Sequence, residues 1–133
     1  HAKEYRAEIE VAAGADLGRL AQLVGERILI AQETPERVAH RRADKVRERW
    51  LELRSVRALA PDRIELVLAT EHGTYVKEAI SGEEGSTVPS IASLLGVATR
   101  CLELDVLAIL GEDGGALEAE AIVDRREMFG AGL

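Results

Sequence analysis

The sequence predicts an α+β domain, with a mixed, mainly antiparallel sheet and short helices. Several segments alternate apolar and polar residues, as half-buried strands do, and others show the roughly three- to four-residue apolar spacing of helices. Short turns join the strands, which favours hairpins over repeated βαβ units. A chain of 133 residues, 47% hydrophobic and 31% charged, suits a single domain with a modest core.

Each predicted element has a local reason. Apolar residues alternate with charged ones over residues 3–11, and Asp16 can cap the helix that follows. Pro35 breaks the chain after the second strand because it forces the preceding residue into an extended conformation. The last short helix begins at residue 89 or 90 and ends at Gly96. The predicted strands are 3–11, 28–32, 49–59, 64–71 and 100–110, and the predicted helices are 15–27, 74–81 and 89–95.

Charge is distributed unevenly along the chain. The formal net charge of −7 argues, taken alone, against nucleic-acid binding, because phosphate contacts need Lys and Arg. Residues 37–57 are nevertheless rich in arginine, while much of the acidic surplus lies elsewhere. This basic segment is either a solvated face or a surface that contacts an RNA backbone, and its charge density favours RNA. The candidate RNA-binding residues are His40, Arg41, Arg42, Lys45, Arg47 and Arg49.

Several classes of site and location are not expected. The three histidines stand apart and Cys101 is the single cysteine, so neither a metal site nor an internal disulfide is expected. No apolar run approaches the roughly 18 residues of a membrane span. The first residues lack the apolar centre of a signal peptide, and a cytoplasmic location is therefore the expectation.

Tyr75 and Lys77 lie just after Gly73, in a chain that has only two tyrosines. For Tyr5 and Tyr75, one interpretation is core packing with the hydroxyl at the rim, and the other is base stacking or a catalytic contact. Lys77 is either solvated or, if buried, paired with a carboxylate, because an unpaired buried charge is too costly.

Several segments resemble a known enzyme family. "KEYRAEIEV" and "GTYVKE" resemble signature segments of pseudouridine synthases that act on tRNA and guide-RNA targets. "IAQETPERVAHRRADKVRER" resembles the corresponding run of the archaeal and eukaryotic tRNA pseudouridine synthase family that modifies the TΨC loop, pseudouridine synthase ten. "ISGEEGSTVPSIASLLG" and "CLELDVLAI" continue the likeness, which covers nearly all of Lys3 to Ile109 in the same order.

The resemblance implies a pseudouridine-synthase-like half domain over residues 3–110, the C-terminal part of a catalytic domain, followed by a tail at 111–133. In this family an aspartate attacks the target uridine or its ribose, the glycosidic bond breaks, and the base rotates and rejoins through carbon. No cofactor is implied. By matching positions, the implied catalytic residues are Tyr5, which stacks on the base, Tyr75, which lines the pocket, and Lys77, which keeps the aspartate ionised by pairing with it.

The catalytic aspartate itself is not matched. In the family it lies upstream of the first strand, in an arginine–glutamate–aspartate-type motif, and none of the aspartates here has that context. We therefore expect part of a tRNA pseudouridine synthase, inactive as this chain alone, with tRNA and the missing N-terminal part of the catalytic domain as partners. The alternative is a non-catalytic RNA-binding module of the same fold. Half a catalytic domain would also expose an apolar surface, which a homodimer could cover.

Overall fold

A computed structural model describes residues 1–35 and 45–111 of the chain. The elements, in chain order, are β1 (Lys3–Val11), α1 (Leu17–Ala21), β2 (Arg27–Glu33), β3 (Val46–Ala60), β4 (Arg63–Thr70), α2 (Val76–Ser81), β5 (Thr87–Val88), α3 (Ile91–Leu95) and β6 (Thr99–Ile109). A short 3-10 turn at Glu83–Gly85 lies between α2 and β5.

The described strands form one six-stranded sheet in the order β5-β2-β3-β4-β1-β6. Each of the pairings is antiparallel. The first strand of the sequence therefore lies inside the sheet, with β4 on one side and β6 on the other. The prediction of an α+β domain is confirmed.

The short helices cover one face of the sheet, and the main core lies between the two layers. Strand alternation points every second residue of β1 and β4 towards the helices. The side chains that this core buries completely include Ile9 from β1, Leu66 and Leu68 from β4, Ile80 from α2 and Leu95 from α3.

The opposite face of the sheet, here called the open face, carries ion pairs between neighbouring strands. Arg6 of β1 lies 2.8 Å from a carboxylate oxygen of Glu65 on β4 and 3.4 Å from one of Asp105 on β6. A smaller apolar cluster also forms away from the main core, around the buried Ala69, with Trp50 packed against it.

The first helix is shorter than the sequence predicts. Asp16 caps α1 as expected, accepting a hydrogen bond from the N–H of Arg19 at 3.0 Å, but the helix ends at Ala21 instead of reaching Arg27. Gly25 has a φ of 89° and donates its N–H to the carbonyl of Leu53 at 2.8 Å. The glycine thus turns the chain out of the helical path towards β2.

The last helix begins and ends as predicted. The hydroxyl of Ser90 accepts the N–H of Ser93 at 3.1 Å, and the Ser93 hydroxyl accepts the N–H of Ser90 at 2.8 Å. These two bonds form a capping box at the start of α3. Gly96 ends the helix in a left-handed conformation.

Within the described ranges, none of the helices is both long and apolar enough to cross a membrane. The predicted tail, apart from Gly111, lies outside the described residues.

Candidate functional site

A tight turn at residues 71–75 leads from β4 into α2. The hydroxyl and the N–H of Thr74 both donate to the carbonyl of Glu71, at 2.7 and 3.2 Å. Gly73 has a φ of 87°, and a Cβ there would lie 3.2 Å from Nη2 of Arg49. A side chain at position 73 is therefore disfavoured by both the backbone conformation and the close approach of Arg49.

This turn forms one wall of a pocket of about 230 Å³, which lies where β1 begins and β4 ends. Both tyrosines of the chain line it, although they lie far apart in the sequence. The complete lining is His1, Lys3, Tyr5, Thr70, Glu71, His72, Gly73, Thr74 and Tyr75. We call this cavity the tyrosine pocket.

Tyr5 lies on the helix-facing side of β1 and packs partly against the main core. Burial raises the pKa of its hydroxyl, and a hydrogen bond with the side chain of Thr70 opposes that effect without cancelling it. Tyr5 is therefore a neutral phenol at physiological pH, with its ring between the core and the pocket.

Tyr75 is fixed through its main chain. Its N–H donates to Oε1 of Gln32 at 2.9 Å, and its carbonyl accepts from Nε2 of the same side chain at 2.9 Å. Gln32 is buried on β2, so this contact ties the start of α2 to the sheet. Gln32 is not among the site residues predicted from the sequence, although it lies in the segment "IAQETPERVAHRRADKVRER". One feature of the sequence could have pointed to Gln32. It is a polar residue two positions after Ile30, and therefore on the core-facing side of the same strand.

Lys77 is exposed on the first turn of α2 and is not among the residues that line the tyrosine pocket. The structure thus brings Tyr5 and Tyr75 together in one pocket but does not bring Lys77 into its lining. Lys77 also lies close enough to the half-buried Cys101 to influence it. Burial raises the pKa of that thiol, and the positive charge of Lys77 offsets the rise only in part.

The predicted RNA-binding residues divide into two groups. His40, Arg41 and Arg42 lie outside the described residues. Lys45 is exposed just before β3, and its main chain pairs with Thr34, whose N–H donates to the Lys45 carbonyl at 3.0 Å.

Arg47 and Arg49 lie on β3, opposite Gln32 and Ile30 of β2. Because residues opposite one another in an antiparallel pair share a face, both arginines lie on the side of the sheet that carries the tyrosine pocket. Arg49 lies close to the pocket wall, since its guanidinium nitrogen Nη2 is 3.2 Å from the position that a Cβ on Gly73 would take.

A second cavity, of about 300 Å³, adjoins the tyrosine pocket, and Glu71 and His72 line both. There the guanidinium of Arg27 stacks 3.9 Å above the ring of Trp50. Arg27 also pairs with Glu52 at 3.6 Å, so its charge is partly neutralised.

The aspartates in the described part of the chain all lie away from the tyrosine pocket. Asp16 caps α1, Asp62 lies in the β3–β4 turn, and Asp105 pairs with Arg6 on the open face. The acidic residue that lines this pocket is Glu71, one of whose carboxylate oxygens already accepts the N–H of Trp50 at 3.1 Å.

Comparison with known proteins places the chain in a family. Residues 1–110 match the family described as "Pus10, C-terminal". The chain therefore belongs to the Pus10 family and corresponds to its C-terminal region. The resemblance found in the sequence is confirmed.

Individual relatives agree with this assignment. The chain is 42% identical over 111 residues to a tRNA pseudouridine synthase Pus10 of Korarchaeum cryptofilum, covering 83% of the chain and 30% of the relative. It is 46% identical over 110 residues to that of Methanothermobacter marburgensis, covering 80% of the chain and 26% of the relative. The protein of Halorubrum lacusprofundi is 45% identical over 115 residues, with coverages of 84% and 27%. The chain thus spans less than a third of the length of these relatives.

Proposed function

We propose that this chain is the C-terminal part of the catalytic domain of a tRNA pseudouridine synthase, which isomerises uridine to pseudouridine in the TΨC loop. The observation that carries the proposal is the convergence of Tyr5 and Tyr75 on one pocket. Membership of the Pus10 family supports it. An enzyme that acts on a base must take that base out of its stack, and aromatic walls suit a base that has left it.

In this proposal Tyr5 stacks on the extruded uracil and Tyr75 forms the facing wall. Lys77, exposed two residues after Tyr75, pairs with the catalytic carboxylate and keeps it ionised. The N1–C1′ bond breaks, the base rotates, and C5 bonds to C1′; C5 then loses its proton and N1 gains one, so the product is an isomer of the substrate.

The catalytic carboxylate comes, in this proposal, from another part of the longer protein. Asp16, Asp62 and Asp105 do not line the tyrosine pocket, which supports this view, as does the small share of its relatives that the chain covers. That other part and tRNA are the proposed partners.

Substitution of Tyr5 in the intact protein that carries this chain tests the proposal. Base stacking on an aromatic ring contributes about 1–3 kcal/mol, so Tyr5→Ala should slow pseudouridine formation in a TΨC-loop substrate roughly 5- to 150-fold. Tyr5→Phe is the matched control, because it keeps the ring and should keep most of the rate. Single-turnover assays on tRNA measure both variants, and the isolated chain should form no pseudouridine.

Equal rates for Tyr5→Ala and the parent protein would contradict the stacking role. A non-catalytic RNA-binding module is the second candidate, because the described aspartates lie away from the pocket. An intact protein that binds tRNA in a salt-dependent way but forms no pseudouridine would favour that candidate.

A further inference from the structure

The carboxamide of Gln32 links three separate elements of the fold. It is 3% exposed on β2. Its Nε2 donates to the carbonyl of Tyr75 at 2.9 Å and to the hydroxyl of Thr87 on β5 at 3.0 Å, while its Oε1 accepts the N–H of Tyr75 at 2.9 Å. One side chain thus binds both main-chain groups of Tyr75, as a neighbouring strand would.

The side chain of Tyr75 does not cap α2, so another residue has to hold Tyr75 in place at the start of this helix. Tyr75 is the N-cap residue of α2, with φ −87° and ψ 99°, and its carbonyl already accepts the first helical hydrogen bond from Ala79 at 3.0 Å. Common N-cap residues fix themselves with a short side-chain oxygen that reaches the first helical N–H groups. A tyrosine ring cannot do this, because its oxygen lies at the far end of the side chain.

We propose that Gln32 is a positioning residue, whose carboxamide sets the place of Tyr75 in the tyrosine pocket and the direction in which α2 carries Lys77. This inference rests on the proposed function, since it assigns Tyr75 a wall against the target uracil. Gln32 does not contact the base and acts only through the main chain of Tyr75.

The chemistry of the contact explains the residue type. A carboxamide offers an uncharged donor and acceptor side by side in one plane, which suits the N–H and the carbonyl of a single extended residue such as Tyr75. Glutamate in the same place can accept from the N–H but repels the carbonyl when ionised. Asparagine is shorter by one carbon–carbon bond, about 1.5 Å, and falls short of both groups.

Two substitutions separate positioning from general stability. Gln32→Met keeps the length of the side chain and removes all three hydrogen bonds. Thr87→Val is the matched control, because it removes one buried bond of the same carboxamide and leaves both bonds to Tyr75. Both variants should lower the melting temperature, but only Gln32→Met should alter the position of Tyr75.

The experiment measures single-turnover pseudouridine formation and tRNA affinity in the intact protein, well below the melting temperature of each variant. A displacement of about 1 Å at an active site can cost on the order of 100-fold in rate, so Gln32→Met should lose rate on that order with tRNA affinity unchanged. Thr87→Val should keep the parental rate. If Gln32→Met does not fold, Gln32→Glu, which keeps the shape and one bond to Tyr75, replaces it and should also lose rate.

Amide hydrogen exchange gives a readout that does not depend on catalysis. Exchange at the Tyr75 N–H should speed up in Gln32→Met and stay near the parental rate in Thr87→Val. Parental activity in a folded Gln32 variant, or an equal loss in Thr87→Val, would overturn the inference. A parent protein that forms no pseudouridine would instead overturn the proposed function, and the exchange data would still show whether Gln32 holds Tyr75.

Discussion

At Gly82, both the backbone conformation and the close approach of a neighbouring side chain favour glycine. It ends α2 with a φ of 84°, a conformation that residues with a side chain adopt only at a cost. A Cβ at this position would lie 2.8 Å from the hydroxyl oxygen of Ser90. That hydroxyl is half of the capping box of α3, so a change at Gly82 reaches the next helix.

We expect Gly82→Ala to destabilise the protein more than Gly85→Ala. Both glycines have a positive φ, and a Cβ at Gly85 has no atom of the described residues within 4 Å. Gly85→Ala should cost about 1–2 kcal/mol, the penalty of the left-handed conformation. Gly82→Ala should add about 0.5–2 kcal/mol as the Ser90 cap is disturbed. Urea unfolding of the two variants compares them, and equal losses would contradict the role of Ser90.

The sequence allowed the two tyrosines to be predicted as site residues, but not Gln32. The tyrosines stood out because the chain has so few aromatic residues and because the segments around them matched a family pattern. Gln32 bonds to Tyr75, 43 residues further along the chain. No local pattern records such a contact, since it exists only after β2 and the turn at 71–75 have come together.

At the scale of elements, the ion pairs of Arg6 on the open face link β1 to both neighbouring strands, β4 and β6. Burial alone would lower the pKa of the Arg6 guanidinium, but the hydrogen bond to Glu65 and the charges of Glu65, Asp105 and Glu8 raise it. Burial likewise would raise the pKa of Glu65, and the bonds and charges of Arg6 and Arg57 outweigh it, so this pKa is lowered. The shared charges thus hold β4 and β6 against β1.

Glu65 should therefore make stability depend on acid pH. A carboxylate whose folded pKa is lowered stabilises the protein above its ordinary pKa of 4.5, and this contribution is lost as the pH falls through the lower folded value. Glu65→Gln should reduce the melting temperature at neutral pH and reduce its further fall between about pH 5 and pH 3.

Glu10→Gln is the control for this measurement. Glu10 pairs with Arg100, whose side chain is 70% exposed, and such exposed pairs contribute little to stability. Thermal unfolding over the acid range compares the two variants. If the melting temperature of Glu65→Gln falls with pH in the same way as that of the parent protein, the Glu65 carboxylate is not the source of the acid sensitivity.

Strands were easier to predict than helices in this chain. Alternation along β4 puts Ile64, Leu66 and Leu68 on one face of the strand, and all three are buried. The leucine spacing after Asp16 predicted a helix to residue 27, but Gly25 turns the chain away. The segment expected to be a loop after α2 does contain a short 3-10 turn and the two-residue β5, both too short to leave a periodic pattern.

At the scale of the whole molecule, Arg47 and Arg49 lie at the same end of the sheet as the tyrosine pocket. The guanidinium of Arg49 lies close to Gly73 in the pocket wall, whereas Arg100 pairs with Glu10 near the other end of β1. If tRNA approaches the pocket, its phosphates should meet Arg47 and Arg49 and not Arg100.

Charge reversal at the two ends tests this orientation. In the intact protein, Arg47→Glu with Arg49→Glu should weaken tRNA binding and reduce its dependence on salt, because each lost phosphate contact lowers the salt slope by about one. Arg100→Glu is the control and should bind as the parent does. Binding titrations at several salt concentrations measure both. Equal weakening at the two ends would mean that only the overall charge matters.

The order of the strands has a consequence for how the chain folds during synthesis. Arg6 on β1 bonds to residues 59 and 99 positions further along the chain. The β3–β4 hairpin can form as soon as it leaves the ribosome, but β1 must wait for β4 and then for β6. Such long-range pairing slows folding. Until β6 emerges, β1 keeps one edge unpaired, and a nascent chain in that state is exposed to wrong strand pairing and to chaperones.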